Sequence, residues 1–308
     1  MRPALPAAAH PSPVLVPVLT QALALLVLTA ALAGCAVPPS TPASAAAAAA
    51  APAASVPTGS IKGSALVHSA ASRAGVLAQA QVALPATSGA AFFGRWKDLP
   101  AAAVKPVPVV VFLHGSSGLG LKAIEDWQRW LAGLGIASVA PDSFALPDRL
   151  TYTSPIDKPT YERVHTLRAS EIDIALAGLL TAPWADGKRL VLAGTSEGGP
   201  AVARHTGNAF AGRLLYSWSC EDNYFVNAHG TAIPPTQPVL NVMSATDVFF
   251  SPSNTWLGNP AARGHCGAAL AASKVATVVL IPGAPHTLLN LPAARHATEG
   301  FLRDLLKP

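Results

Sequence analysis

A serine inside a short glycine-rich stretch is the residue of this sequence whose surroundings most suggest chemistry. Residues 190–200 read LVLAGTSEGGP, so that Ser196 lies between Gly194 and Gly198 in a G-x-S-x-G pattern. A serine hydroxyl is weakly acidic, and it becomes a nucleophile only beside a general base that is oriented by a third group. A plain turn between a strand and a helix is the alternative interpretation. The partners available elsewhere in the chain decide between the two.

A histidine and an aspartate further along the chain have the residue types of such partners. His286 ends the loop PGAPH after a predicted strand at 275–281, and Asp247 follows a predicted strand at 238–243. Ser196 itself follows an apolar run of the same kind. Because the carboxyl ends of parallel strands meet at one edge of a sheet, we expect the three side chains to lie together. The chain order Ser, Asp, His predicts nucleophile, orienting acid and base.

Both partners have alternatives in the sequence. Glu221 and Asp222 follow another predicted strand and could orient the histidine in place of Asp247. The chain has nine histidines, and those weighed against His286 as the base are His205, His229, His265 and His296. Two of them, His205 and His296, fall within predicted helices, and His265 is away from any strand end. We favour Asp247 and His286, because each lies directly behind a predicted strand.

A serine nucleophile also needs N–H donors that stabilise the negative oxygen of the tetrahedral intermediate. Glu197, the residue after the nucleophile, is expected to supply one backbone N–H. The loop HGSSGLG, which follows a predicted strand at 107–113, is expected to supply the other through Ser116. A dinucleotide-binding loop is rejected, because the glycines run G-x-x-G-x-G and no acidic residue follows at the distance that a ribose requires.

The elements that must position these residues alternate along the chain. The predicted strands are 76–83, 107–113, 136–140, 190–194, 213–218, 238–243 and 275–281, and the predicted helices are 121–133, 161–181, 198–206 and 292–306. Short, nearly unbroken apolar runs are typical of parallel strands covered on both faces. The alternation predicts an α/β fold with a mostly parallel, twisted sheet and helices on both faces.

Composition and charge limit the functions that the chain can have. It has 308 residues, of which 51% are hydrophobic and 12% charged, and its formal net charge is +5 at pH 7. This charge is mild, and no cluster of Lys and Arg with interleaved aromatic residues occurs, so nucleic-acid binding is not expected. Residues 61–308 are enough for one domain with a well-covered core.

An uncharged apolar stretch precedes this domain. Residues 14–33 follow a short start that carries Arg2, and the sequence LAGC then ends at Cys35. This pattern is typical of a signal peptide, and its end resembles the lipobox of bacterial lipoproteins. The resemblance implies a signal peptide over residues 1–34 and a lipidated Cys35 at the mature N-terminus. A transmembrane anchor is the alternative, although Pro17 interrupts the stretch.

The segment 35–60 joins the signal peptide to the domain at 61–308. It is rich in Ala and Pro and has no periodic large apolar side chains, so we expect a disordered tether. Ala36, rather than Asp, follows the lipidated cysteine. By the same resemblance, this implies an exported protein anchored through its lipid in the outer membrane of a Gram-negative cell, facing the periplasm or the cell surface.

Taken together, the motifs resemble a known family. VFLHGSSGLG, WQRWLAGLG, VAPDSF, GTSEGG and PGAPHTLL are similar to the α/β-hydrolase fold and, within it, to the dienelactone hydrolase family, over residues 76–306. Dienelactone hydrolases have a cysteine nucleophile where this chain has Ser196, so their lactone substrate is not implied. The resemblance implies a serine hydrolase that cleaves small or medium carboxylic esters through an acyl-enzyme. A peptidase or acyltransferase, and a non-catalytic binding lipoprotein, remain alternatives.

The two cysteines of the domain bear on its environment. Cys220 and Cys266 are an even pair in a chain expected to be exported, so a disulfide is predicted, with free buried thiols as the alternative. A zinc site is not expected, because His265 is the only neighbouring histidine and no C-x-x-C spacing occurs. No metal and no organic cofactor is predicted.

One polar, proline-containing segment, 142–160, follows a strand end and has two interpretations. It could roof the site, with Arg149 or Tyr152 touching the substrate, or it could be a solvated connection, which we favour. No long apolar helical insertion of the kind that covers a lipase site occurs. We therefore expect an open site, soluble esters with short acyl chains, and activity near neutral or mildly alkaline pH, where His286 is uncharged.

Overall fold

A computed structural model describes residues 56–89, 91–100 and 105–307. The predicted signal peptide at 1–34, the predicted lipidation site Cys35 and residues up to 55 of the predicted tether lie outside the described residues. Within the described part of the chain, every helix is too short or too polar to cross a lipid bilayer.

The strands and helices alternate along the described chain. The strands are β1 (Ser60–Lys62), β2 (Gln81–Leu84), β3 (Phe92–Arg95), β4 (Val107–Leu113), β5 (Ala137–Ala140), β6 (Thr151–Thr153), β7 (Ala185–Thr195), β8 (Gly212–Tyr216), β9 (Val239–Ser244) and β10 (Ala276–Ile281). The α-helices are α1 (Ala70–Ala78), α2 (Lys122–Gly133), α3 (Lys158–Leu179), α4 (Gly198–Arg204) and α5 (Pro292–Leu305).

Eight strands form one sheet in the order β10-β9-β8-β7-β4-β5-β2-β3. The pairs from β10 through β5 are parallel, whereas β2 pairs antiparallel with both β5 and β3. β1 and β6 form a separate antiparallel ribbon. The chain therefore has the predicted α/β-hydrolase fold, with a mostly parallel sheet whose central strands are β4 and β7.

Helices cover both faces of this sheet, as predicted. On β4, Val109 and Val111 belong to the core cluster that contains residues of α3 and α4. Val110 and Phe112 belong to a second cluster with residues of α2 and α5. All four side chains are fully buried. Both faces of β4 are thus apolar, which explains the nearly unbroken hydrophobic sequence of this strand.

The strand predicted at 76–83 is wrong in its first part, where the chain forms α1 instead. Ser69, the residue just before this helix, caps its N-terminus, because its hydroxyl accepts a hydrogen bond from the N–H of Ser72 at 3.2 Å. Val76 is fully buried. The apolar residues of the predicted strand are divided between the end of this helix and β2. The sequence also does not predict β1, β3 and β6, each of which has three or four residues.

Candidate active site

Ser196 lies in a sharp turn between β7 and α4, at the carboxyl end of the sheet. Its backbone has a φ of 51°, in the left-handed region that non-glycine residues rarely adopt. The N–H of Ser196 donates to the carbonyl of Tyr216 on β8 at 3.1 Å. A Cβ at Gly198 would lie 2.3 Å from the carbonyl oxygen of Leu113, and one at Gly194 2.7 Å from that of Gly198. The two glycines thus permit helix and strand to approach closely enough to hold the serine in this turn.

The structure brings Ser196, Asp247 and His286 together. Nε2 of His286 lies 2.9 Å from Oγ of Ser196, and Nδ1 lies 2.7 Å from Oδ2 of Asp247. The carboxylate can only accept from the ring, so Nδ1 carries the proton and Nε2 is free to accept the serine proton. This is the tautomer that a general base requires.

The Asp247 carboxylate is fully buried but well supplied with donors. Its Oδ1 accepts the backbone N–H groups of Phe249 and Phe250 at 2.9 and 3.0 Å. Burial alone would raise the pKa of this carboxyl, but the hydrogen bond and charge of His286, together with the two N–H groups, lower it. The aspartate is therefore held ionised and in one orientation, as the orienting group of a histidine base must be.

Two serines that the sequence reasoning missed fix the loop that carries His286. The hydroxyl of Ser217 donates to the carbonyl of His286, and the hydroxyl of Ser244 donates to the carbonyl of Ala284 at 2.6 Å. Both serines are buried, at the ends of β8 and β9. Ser217 has a φ of 49°, which marks it as a second strained residue near the site. That strain has no signal in the sequence.

The alternative acids have other partners. Asp222 is half-exposed and pairs with Lys158 at 3.2 Å. The Glu221 carboxylate accepts the backbone N–H groups of Arg263 and Gly264 at 2.9 and 2.8 Å. Among the described residues, neither carboxylate forms a hydrogen bond or an ion pair with a histidine. The structure thus places Asp247, and neither of its competitors, beside His286.

The loop predicted to hold an oxyanion lies beside Ser196. A Cβ at Gly115 would be 3.2 Å from Cβ of Ser196, so the backbone of the loop approaches the serine closely. Ser116 and Ser196 line the same cavity. Within the described residues, the backbone N–H groups of Ser116 and Glu197 donate to no protein acceptor. Both N–H groups therefore remain available as hydrogen-bond donors.

A neutral histidine, which the sequence reasoning did not single out, supports this loop. Nδ1 of His114 lies 2.7 Å from the carbonyl of Gly115, and Nε2 accepts the N–H of Ser143 at 3.2 Å. Complete burial lowers the pKa of His114 well below its ordinary value, and the nearby Arg168 guanidinium lowers it further. His114 is therefore uncharged, with its proton on Nδ1, and acts as a fixed hydrogen-bonding group.

The favoured interpretation of segment 142–160 as a solvated connection is wrong. Arg149 is buried, and its Nη2 lies 2.6 Å from Oε1 of Glu197, whose side chain is fully buried. The hydroxyl of Tyr152 donates to Oε2 of Glu197 at 2.8 Å, and its ring lines the cavity at Ser196. The physical reason is the carboxylate of Glu197, which needs charged and hydrogen-bonding partners in order to be buried.

A second guanidinium completes this buried network. Nε of Arg168 lies 3.6 Å from Oε1 of Glu197, and its Nη1 lies 2.8 Å from Oε2 of Glu171. Burial would raise the pKa of Glu197, but the charges of Arg149 and Arg168 and the hydrogen bonds from Tyr152 and Arg149 outweigh it and lower the pKa. Glu197 is therefore an ionised carboxylate directly after Ser196.

The cavity at Ser196 is small and largely apolar. Its volume is about 120 Å³. Its lining residues come from the loop after β4, from α2 and β6, and from the loops that follow the strands, and they include Leu121, Ile124, Tyr152, Tyr224, Phe225, Phe249, Phe250 and Leu289. Among the described lining residues there is no Lys, Arg, Asp or Glu. A larger hollow of about 410 Å³ lies beside Phe93 and Arg129, and none of its described lining residues is a Ser, Cys, His, Asp or Glu.

The predicted disulfide between Cys220 and Cys266 is confirmed. The two cysteines are bonded and fully buried, and they join the loop after β8 to the chain between β9 and β10. Asp247 lies in the same part of the chain, between β9 and β10. In the part of the chain that the structure describes, no group of three or more His, Cys, Asp or Glu side chains is arranged to hold a metal ion.

No family model and no curated protein sequence matches the chain. Solved structures resemble it in fold. A Klebsiella pneumoniae protein assigned as a dienelactone hydrolase is 18% identical with a TM-score of 0.49, and the match covers 74% of this chain and 98% of that chain. A serine hydrolase without a lid from Xanthomonas campestris is 16% identical with a TM-score of 0.47, and the match covers 74% of this chain and 89% of that chain. Est1E from Butyrivibrio proteoclasticus is 16% identical with a TM-score of 0.44, and the match covers 74% of this chain and 93% of that chain. The evidence for function is therefore the site itself.

Proposed function

We propose that the protein is a serine hydrolase that cleaves small, uncharged carboxylic esters through an acyl-enzyme. The observation that carries the proposal is the hydrogen-bonded chain from Ser196 through His286 to Asp247, with Ser196 and His286 lining one cavity. Ser116 lines the same cavity, and among the described residues its N–H and that of Glu197 have no protein acceptor. A turn with only a structural role would need neither the base nor the buried acid. Strain at the serine is typical of a nucleophile held in place by its surroundings.

The geometry supports the following chemistry. Oγ of Ser196 forms a bond to the ester carbonyl carbon while its proton passes to Nε2 of His286. The C=O electron pair moves onto the oxygen, which accepts hydrogen bonds from the N–H groups of Ser116 and Glu197. The bond to the alcohol oxygen then breaks, and His286 gives its proton to the departing alcohol. Water attacks the acyl-enzyme in the same way and releases the carboxylic acid and free Ser196.

The size and lining of the cavity support the substrate class. A cavity of about 120 Å³ matches a short acyl group better than a long fatty chain. Apolar and aromatic side chains favour a neutral acyl group, because burying a charge without a partner costs several kcal/mol. The side chains of Tyr224 and Phe249, among others, are placed to contact it. An ester whose acyl group carries a carboxylate would bring an unpaired charge into this cavity.

A panel of chromogenic substrates tests the proposal. We expect p-nitrophenyl acetate and butyrate to be cleaved with kcat/KM at least about 10-fold above p-nitrophenyl palmitate and the hemisuccinate, which corresponds to about 1.4 kcal/mol. A peptide p-nitroanilide should not be cleaved. Preference for the palmitate or the hemisuccinate would contradict the substrate class, and cleavage of the anilide alone would favour a peptidase. Product analysis with added alcohols would reveal an acyltransferase.

We also propose that the protein is exported and anchored in a membrane through a lipid on Cys35. The LAGC sequence at the end of residues 14–33 supports this, and so does the disulfide between Cys220 and Cys266, because disulfides persist in oxidising compartments. Replacement of Cys35 by Ala should move the protein from the detergent phase to the aqueous phase and leave its esterase activity intact. Continued detergent partitioning of the variant would contradict the proposal.

A further inference from the structure

The carboxylate of Glu197 is bound from two sides by one segment of the chain. Arg149 binds Oε1 at 2.6 Å, and the hydroxyl of Tyr152 binds Oε2 at 2.8 Å. The side chains of Glu197 and Arg149 are 0% and 2% exposed, so solvent does not weaken the ion pair. These three residues are called the Glu197 clamp. Charge-assisted hydrogen bonds of this length are the stronger kind.

The clamp is one residue away from the strained nucleophile. Glu197 follows Ser196, whose φ is 51°, and the backbone N–H of Glu197 is one of the two proposed oxyanion donors. The donor must lie in place before charge develops, because its value comes from not having to reorganise. A carboxylate fixed at both oxygens restricts the rotation of its own residue. The clamp therefore holds the peptide unit that would stabilise the oxyanion.

Tyr152 connects this support to the substrate. Its ring lines the cavity, while its hydroxyl is committed to Glu197. Arg149 is itself fixed, since its Nε donates to Oγ of Ser143 at 2.7 Å and its Nη1 to the carbonyl of Leu150 at 2.9 Å. Ser143 also donates its N–H to His114, which supports the other oxyanion donor. Both halves of the oxyanion hole are thus tied to the same segment.

We infer that Arg149, Tyr152 and the carboxylate of Glu197 are positioning residues, which hold the Glu197 N–H in place for the tetrahedral intermediate and fix the Tyr152 ring as a wall of the substrate cavity. This inference rests on the proposed function and assigns a catalytic purpose to a segment that the sequence alone presents as a connection. The carboxylate itself does not contact the substrate. Its contribution passes through its own main chain and through Tyr152.

Two conservative variants test the inference in the full chain. Tyr152→Phe removes one hydroxyl and keeps the ring, and Arg149→Lys keeps the charge but loses the forked geometry. The matched control is Arg204→Lys, because Arg204 pairs with Glu162 at 2.7 Å but does not line the cavity. Each protein is measured for kcat and KM with p-nitrophenyl acetate, for melting temperature, and for the dissociation constant of a small alkyl boronic acid, which adds to Ser196 as a tetrahedral mimic.

We expect Tyr152→Phe and Arg149→Lys to lower kcat by about 10-fold or more with KM within about twofold, since a whole oxyanion donor contributes about 100- to 1000-fold. The boronic acid should bind more weakly by a similar factor. Arg204→Lys should leave kcat and boronate binding unchanged. A lower melting temperature with unchanged kcat and boronate binding in both clamp variants would overturn the inference, because it would show a structural role alone.

Failure of the proposed function has a different signature. It would appear as an unmodified protein that neither cleaves p-nitrophenyl acetate nor binds the boronic acid, and it would overturn both proposals. A native enzyme that is active, with clamp variants equally active, would overturn only the inference about Arg149, Tyr152 and Glu197. Loss of activity through a higher KM alone, with boronate binding unchanged, would overturn the assignment of the clamp to the Glu197 N–H, since the clamp would then act only through the Tyr152 wall and not on the intermediate.

Discussion

Oδ2 of Asp247 lies 2.7 Å from Nδ1 of His286, and this contact decides which nitrogen of the ring is left to act as a base. Replacing Asp247 by Asn puts an amide group at this position, which can donate to Nδ1 and so favour the wrong tautomer. We therefore expect Asp247→Asn to lower kcat for p-nitrophenyl butyrate by about 1000-fold or more at neutral pH, while the variant remains folded. Steady-state kinetics and circular dichroism measure both quantities.

Asp222 provides the control for this substitution. It follows the neighbouring strand β8 and is paired with Lys158 on the half-exposed surface. Asp222→Asn should change kcat by less than about twofold, because surface ion pairs contribute little. If Asp222→Asn were the damaging change and Asp247→Asn the harmless one, the assignment of the acid would be wrong.

The buried Glu197 carboxylate predicts how stability depends on pH. Its pKa is lowered in the folded protein, because Arg149 and Arg168 outweigh its burial. A carboxylate with a lowered folded pKa stabilises the fold above its unfolded value of about 4.3, and this contribution is lost as the pH falls through the folded pKa. We expect the free energy of unfolding to fall steeply below about pH 5, as measured by urea titration at successive pH values.

Glu197→Gln tests the origin of that slope. At neutral pH the substitution leaves two buried guanidiniums with one carboxylate fewer, and we expect it to cost about 3–5 kcal/mol. The difference in the free energy of unfolding between the variant and the native protein should shrink as the pH falls, because the native carboxylate becomes protonated. A difference that stays constant from pH 7 to about pH 3 would show that Glu197 does not carry the ionised charge in the folded protein.

The triad could be predicted because it depends on topology more than on side-chain packing. Three residues that follow three parallel strands must meet at one edge of the sheet, whatever the details of the core. Ser196, Asp247 and His286 each follow such a strand, and the chain order limits the choice further. The disulfide could be predicted on other grounds, since the domain has two cysteines, which allow a single pairing, and the chain is expected to be exported.

The Glu197 clamp could not be predicted, because no strand end of the predicted sheet places Arg149 or Tyr152 beside Glu197, which lies 48 and 45 positions further along the chain. Neither Arg149 nor Tyr152 lies in a motif. A proline-containing polar segment also has the composition of an exposed loop. The buried carboxylate is the reason that the segment packs inward, and burial of Glu197 is visible only in three dimensions. The strained φ of Ser217 and its bond to the loop of His286 are hidden for the same reason.

The misplaced strand at 76–83 shows a different limit. A short apolar run is compatible with both a helix end and a strand. The capping hydrogen bond from Ser72 N–H to the Ser69 hydroxyl favours the helix, which then ends before β2. A local cap thus outweighed the apolar run.

Gly198 and Gly187 offer a matched pair of substitutions on one strand–helix unit. A Cβ at Gly198 would lie 2.3 Å from the carbonyl oxygen of Leu113, whereas a Cβ at Gly187 meets no atom within 4 Å. Gly198→Ala should therefore displace the turn that holds Ser196, lowering kcat by about 100-fold or more, since a misplacement of about 1 Å has effects of that size. Gly187→Ala should leave kcat unchanged. Full activity of Gly198→Ala would contradict the strained geometry of the turn.

The most direct test of the account is the rate at which Ser196→Ala cleaves p-nitrophenyl butyrate, measured beside His286→Ala and the double variant. The nucleophile and its base act as one unit, so each single substitution should lower kcat by about 10⁴-fold or more, and the double variant should be hardly slower than either. All three proteins should remain folded. A Ser196→Ala protein that keeps more than about a tenth of the native kcat would contradict the assignment of this serine as the nucleophile.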